Sequence, residues 1–136
     1  VYGGVRRGAY YMPTVLDNCT KDMDICNDME IFGPVFPVFT FKTLDEAIEI
    51  AETSEYGLSA GVITENLKDA MKVAASLQTG MVAVNGSGGF RAQELPFGGG
   101  KKMSGNSREC MSSVLEEVTQ EKSIIFRYAM KKYNET

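Results

Sequence analysis

Histidine is absent from the 136 residues. Without an imidazole there is no His-based triad and no His-relayed proton transfer, and most zinc sites lose a usual ligand. Positive charge is scarce: 14 Lys and Arg stand against 18 Asp and Glu, a net charge of -4. That balance excludes a general nucleic-acid binder, which needs a basic surface to displace counterions. No apolar run approaches the ~20 residues of a membrane span, so a transmembrane role is excluded. Cysteine is sparse and unpaired in pattern. Cys19, Cys26 and Cys110 form no CxxC and no disulfide framework, which fits a reducing, cytoplasmic setting. No metal-ligand cluster is expected. No charged-then-apolar leader follows Val1-Tyr2-Gly3-Gly4, and a start without Met suggests a piece of a longer chain.

What is present is ordinary for one soluble domain: 43% hydrophobic, 10% aromatic and 24% charged residues. The first nine residues are Gly- and Arg-rich and read as loop. Tyr10 to Leu16 has strand composition, limited by Pro13 to an edge or a break. Residues Asn18 to Asp28 are polar and turn-like. Phe36 to Phe41 is an apolar run of strand length. Thr43 and Glu46 then form a capping box, Glu46 reaching back to Thr43. Leu44, Ala47, Ile48 and Ala51 recur at helical spacing, with Gly57 as the stop. Leu58 to Thr64 is a second strand candidate. Asn66 is a good N-cap for a helix whose face carries Leu67, Ala70, Met71, Ala74 and Leu77, closed by Gly80. Met81 to Asn85 is a third strand. This βαβαβ order with short connections predicts an α/β fold in three layers on a mainly parallel sheet. Gly86 to Gly105 is a long Gly-rich loop, of a kind that is usually functional or disordered. A last helix is predicted from near Ser107, then a strand over Ser123 to Tyr128 and a loose polar tail from Lys131 to Thr136.

Five motifs arrive in order: Glu30-Ile31-Phe32-Gly33-Pro34, Tyr56-Gly57-Leu58-Ser59-Ala60-Gly61, Gly80-Met81-Val82-Ala83-Val84-Asn85, Pro96-Phe97-Gly98-Gly99 and Ser104-Gly105. Each is weak alone, but together, from about Tyr10 to Phe126, the sequence resembles the C-terminal part of an NAD(P)-dependent aldehyde dehydrogenase. The resemblance implies oxidation of an aldehyde to an acid through a thiohemiacetal on a Cys, with a hydride passed to the nicotinamide. The family's nucleophile sits in a Gly-Gln-x-Cys segment upstream of the Glu30 motif. No such segment is present here, so no catalytic residue is assigned in this chain, and none of the three cysteines is promoted to that role.

By the same resemblance, Glu30 and Phe32 are cofactor-binding. A carboxylate accepts one hydrogen bond from each vicinal ribose hydroxyl, and charge-assisted bonds are the stronger kind. Phe32 would pack beside the nicotinamide ring, with Gly33-Pro34 fixing the turn that holds both side chains. Phe90 and Phe97 would line the substrate tunnel and keep water from the reacting centre. Asn85, Gly98 and Gly99 would organise the loops near the site. Arg91 is expected to be neutralised by Glu94 rather than to bind an anionic aldehyde. Two positions depart from the family pattern. Met29 replaces an acid usual before Glu30, and Gly100-Lys101-Lys102-Met103 is one residue longer than usual before Ser104-Gly105.

These readings divide the chain into a catalytic-domain portion, 1–120, and an oligomerisation strand with tail, 121–136. They imply NAD or NADP as cofactor, held mainly by residues outside this chain. A small aldehyde is the expected substrate, with a homodimer or homotetramer as the assembly, and the chain alone is expected to be inactive. The alternatives are a non-catalytic assembly module and a CoA-acylating relative.

Overall fold

The computed structural model describes residues 1–99 and 102–127. The chain opens with a small antiparallel hairpin, β1 (Arg6–Arg7) on β2 (Tyr10–Tyr11), pairing Arg6 with Tyr11 and Arg7 with Tyr10. The expected loop is therefore a hairpin. Gly8, at φ +62°, supplies the left-handed turn that joins so short a pair. Pro13 interrupts pairing as expected, and β3 (Thr14–Leu16) begins just after it.

β3 pairs in parallel with β4 (Val35–Pro37), Thr14 opposite Val35 and Leu16 opposite Pro37. Phe36 to Phe41 was expected as the strand. The ladder ends at Pro37, and Val38 adds two bonds beyond it, its N–H donating to Leu16 O at 2.8 Å and its carbonyl accepting from Cys19 N at 3.0 Å. Next come α1 (Leu44–Glu52), β5 (Ser59–Val62), α2 (Leu67–Ser76) and β6 (Met81–Val84). β5 and β6 pair in parallel from Ser59–Met81 to Val62–Val84, with α2 as the crossover. The βαβαβ order is thus as read from the sequence, with parallel pairing throughout this core. Its hydrogen bonding divides between two ladders, because β4 joins β3 rather than β5.

The caps form largely as their residues dictate. Thr43 Oγ1 accepts from Glu46 N at 3.2 Å, and Asn66 Oδ1 accepts from Lys68 N and Asp69 N. The return arm of the capping box differs: Glu46 Oε2 takes the N–H of Lys42, at 2.7 Å, not that of Thr43. Both helices end earlier than their glycine stops, α1 at Glu52 and α2 at Ser76. Leu44, Ala47, Ile48 and Ala51 of α1 face Val73 and Leu77 of α2 across an apolar hollow of about 430 Å³. Lys72 and Asp45 tie the two helices at the surface. α3 (Met111–Val118) starts four residues later than expected, capped by Cys110.

The predicted strand at Ser123 is corrected. Residues 123–127 form no strand in this chain. Tyr128 and the 131–136 tail lie outside the described residues. Ile124, Ile125 and Phe126 stand 66 to 81% exposed.

Burial is shallow everywhere. Among the described residues only Cys19, Ala70 and Val73 are buried apolar side chains. The chain exposes 11569 Å², where a compact monomer of 14.9 kDa exposes about 7,000 Å². Helix and sheet faces that pack a core in a self-sufficient domain are open here.

Candidate functional site

The Glu30 segment is set by two left-handed residues, Asp28 at φ +54° and Phe32 at φ +45°. Such a conformation is uncommon for a bulky side chain and clusters at functional sites. The turn expected from Gly33-Pro34 therefore carries its strain on Phe32. Gly33 itself has no positive φ, and its carbonyl accepts from Val35 N at 2.8 Å. Pro34 anchors the far end, its carbonyl accepting from Thr14 N at 2.8 Å. As a result Phe32 is 90% exposed rather than a core aromatic. Glu30 is exposed too, and makes no hydrogen bond or ion pair among the described residues. Both line an open hollow of about 330 Å³, with Ile25, Met29, Gly33 and Pro37 in its walls. A carboxylate with all its lone pairs free, beside an upturned ring, suits a sugar diol carrying a planar heterocycle.

Behind Glu30 the chain is pinned by Asp28. Its Oδ1 accepts from Ser54 Oγ at 2.6 Å and its Oδ2 from Glu55 N at 2.8 Å. The Ser54 hydroxyl first, then the Glu55 N–H and the Lys102 charge, hold the Asp28 carboxyl below its ordinary value. Asp28, Glu30, Ser54 and Tyr56 share a second hollow on this side.

The Gly-rich loop is built from the end of β6. Asn85 sits at φ +53°, and its Oδ1 accepts from Thr64 N at 2.9 Å. It thus ties the ends of β5 and β6 together. Phe97 forms a two-way bridge with Glu109, at 2.8 and 2.6 Å. The Arg91 guanidinium lies 3.5 Å from the centre of the Phe97 ring and donates to Glu109 Oε2 at 3.0 Å. Glu109, not the expected Glu94, is therefore the carboxylate that neutralises Arg91. Phe97, Arg91, Glu109 and Cys110 line an open hollow of about 670 Å³. Phe90 is 58% exposed and its N–H bonds only to Ser87 O within its own turn. Gly98 and Gly99 are buried; a Cβ on Gly80 would stand 1.6 Å from Gly98 O, so the loop presses directly on the start of β6.

The structure thus gathers Glu30 with Phe32, and Phe97 with Arg91, in hollows with different walls. Three participants escaped sequence reasoning. Asp28 is one, and an acid two places before Glu30 was its only signal. Lys102 is another, with its half-buried side chain bonded to the end of α1. The third is Cys110, within 3.2 Å of Ser112 Oγ and Ser113 Oγ. Hydrogen bonds from Ser112, then Ser113, bring this thiol from 9.0 down to about 7. The Cys-x-Ser-Ser pattern at a helix start is the readable trace of that.

The model of the aldehyde dehydrogenase family matches residues 1–124. The chain belongs to the aldehyde dehydrogenase family. It is 41% identical over 123 residues to the 3-sulfolactaldehyde dehydrogenase of Priestia megaterium, covering 90% of this chain and 25% of that protein. Among solved structures, the aldehyde dehydrogenase 21 of Physcomitrella patens with succinate aligns at TM-score 0.86 and 29% identity, over 96% of this chain and 27% of that one. The indole-3-acetaldehyde dehydrogenase of P. syringae, in complex with NAD+ and IAA, aligns at TM-score 0.82 and 40% identity, over 91% and 26%. The chain spans about a quarter of the length of these aldehyde dehydrogenases.

Proposed function

We propose that this chain is the C-terminal part of an enzyme that oxidises an aldehyde to a carboxylic acid with NAD or NADP. The observation that carries the reading is the pairing of a free Glu30 carboxylate with Phe32, held outward at positive φ. Glu30 receives the two hydroxyls of the cofactor's nicotinamide ribose. Phe32 flanks the ring and limits its swing. When bound, the dinucleotide supplies the hydride acceptor. Phe97, clamped by Arg91 and Glu109, walls the aldehyde from bulk water, with Phe90 at the mouth. Exclusion of water strengthens local electrostatics and protects the reacting carbon. The nucleophilic Cys and most of the dinucleotide fold come from outside these residues, so this chain alone is inactive.

Residues 1–120 belong to the catalytic domain and 121–136 to a segment and tail that take part in oligomerisation. The exposed Ile124, Ile125 and Phe126 support a pairing role there, in a homodimer or homotetramer. Three free cysteines support a reducing, cytoplasmic setting.

The test is direct. Full-length protein carrying this segment, given NAD+ or NADP+ and a panel of aldehydes, is expected to form reduced cofactor and the matching acid. A product that requires added CoA would move it to the acylating class. No reduced cofactor from any aldehyde with either dinucleotide would overturn the reading.

A further inference from the structure

The loop that carries Phe97 and the segment that carries Glu30 meet at one place, the C-terminal end of α1. Lys102 reaches in from the loop side. Its Nζ donates to Ser54 O at 2.8 Å and to Glu52 O at 3.4 Å, and pairs with Glu52 Oε2 at 3.3 Å. The side chain is only 15% exposed, and that of Glu52 25%. The last carbonyls of a helix lack partners within it, and a cation there also meets the negative end of the helix dipole. Lys102 answers both needs at once. Its neighbours extend the junction: Met103 N donates to Glu55 O at 2.8 Å, and Gly57 N donates to Ser104 Oγ at 2.9 Å. Glu52 is fixed in turn by Gln78 N, 2.7 Å from its Oε1.

From the other side comes Asp28. The Ser54 whose carbonyl takes the Lys102 ammonium gives its hydroxyl to Asp28 Oδ1, while its Oγ also accepts from Tyr56 N at 3.1 Å. Asp28 is two residues from Glu30, in the left-handed conformation that turns the chain toward it. A continuous set of polar contacts therefore runs from Lys102 through Ser54 to Asp28, between two segments with no backbone ladder joining them.

We infer that Lys102 is a positioning residue for the dinucleotide: through Ser54 and Asp28 it sets the Glu30 segment at the end of α1. The inference rests on the reading of Glu30 as the ribose-binding carboxylate. A charge on Lys102 that two carbonyls and one carboxylate hold in a half-dry junction cannot be replaced by a hydrophobe of the same length without leaving those acceptors unmet. The slack then passes to Asp28, and small misplacements of a ligand-orienting group have large consequences.

The experiment uses full-length protein carrying this segment, with dinucleotide affinity measured by calorimetry, aldehyde KM by steady-state rates, and the thermal midpoint as a fold control. Lys102→Met is expected to weaken dinucleotide binding about tenfold and to change the aldehyde KM less than about twofold. Lys102→Arg, which keeps the charge, is expected to recover most of the affinity. Ser54→Ala, a milder change, removes only the hydroxyl that Asp28 accepts from, and is expected to produce the same selective loss. Because the two act in one chain of contacts, the double variant is expected to be no worse than the worse single. If Lys102→Met and Ser54→Ala leave affinity intact while Glu30→Gln weakens it, this inference fails and the ribose reading stands. If Glu30→Gln also leaves affinity intact, the reading beneath it fails as well. Additive losses, or equal losses toward dinucleotide and aldehyde, would reduce Lys102 to a general structural prop and overturn the inference.

Discussion

Gly80→Ala is the sharpest perturbation the geometry offers. The added Cβ would sit 1.6 Å from Gly98 O and 2.7 Å from Gly98 C. Contacts between a Cβ and another heavy atom essentially never fall below 3.0 Å, so the two backbones must separate by more than an ångström. Neither is free to do so. Gly80 N is held by Gly57 O at 2.9 Å, and Gly98 follows Phe97, which is bridged to Glu109 at 2.8 and 2.6 Å. Gly98 cannot retreat, because its own α-carbon already faces Ser107 O. Forcing such overpacking costs about 1–3 kcal/mol, and the displacement is directed into Phe97. Gly86→Ala is the control. Its Cβ would meet Ala83 Cβ at 3.5 Å, an ordinary contact, at no positive φ. In full-length protein, the denaturation midpoint is expected to fall for Gly80→Ala with the denaturant slope unchanged. Gly86→Ala is expected to stay within about 0.5 kcal/mol of the parent. Aldehyde KM should rise for the first variant and not for the second. Equal midpoints for the two variants would refute the close approach of β6 and the Phe97 loop.

Asn85 separates backbone strain from hydrogen bonding. Asn85→Ala loses the bond to Thr64 N and keeps the unfavourable φ, so a cost of about 2 kcal/mol is expected. Asn85→Gly loses only the bond and should cost about half as much; the reverse order in denaturant melts would contradict the assignment. The Asp28 carboxyl is held below its ordinary 3.8 by Ser54, then Glu55. Its contribution is therefore present above pH 3.8 and lost as pH falls through the lower folded value. The gap in stability between parent and Asp28→Asn should be constant from neutrality down to that region and close below it, and a gap that closes near neutrality would exclude Asp28 as the source. The 136-residue chain alone exposes roughly 4,500 Å² more than a compact monomer of its size. It is expected to bind a hydrophobic dye, melt without a cooperative transition and make no reduced cofactor from any aldehyde. A sharp two-state melt would contradict this.

Much of the local structure was written in local residues. Asn66 and Thr43 cap the helices they introduce, because a side-chain oxygen at that position meets the free N–H groups of the first turn. The 3.6-residue spacing of Leu44, Ala47, Ile48 and Ala51 gave α1 the apolar face it turns to α2, and Pro13 broke the first strand where it stands. Elements that depend on a distant partner were harder to read. Ser123 to Tyr128 has strand composition, but a strand is made by its pairing, and residues 123–127 enter none of the described ladders. The Arg6–Tyr11 hairpin hid in a segment with no alternation, its turn set by one glycine. In the site, the motif order pointed to Glu30, Phe32 and Phe97. The contacts that hold them run between residues far apart in the chain, as in Ser54 to Asp28 and Lys102 to Ser54, which are 26 and 48 positions apart. Periodicity carries no information at that range. Arg91 illustrates the limit: Glu94 was the nearer carboxylate in sequence, and Glu109, brought alongside by the Phe97 bridge, is the nearer one in space.

The central claim is that the Glu30 carboxylate holds the sugar next to the reactive ring of a nicotinamide dinucleotide. The most direct measurement is the single-turnover rate of hydride transfer in full-length protein carrying Glu30→Gln, with aldehyde saturating. The substitution preserves shape and removes one charged acceptor, a hydrogen bond worth about 1.5–3 kcal/mol. The expected result is a rate lower by about ten- to a hundredfold, with the aldehyde affinity unchanged. A hydride-transfer rate and dinucleotide affinity equal to those of the parent would contradict the account.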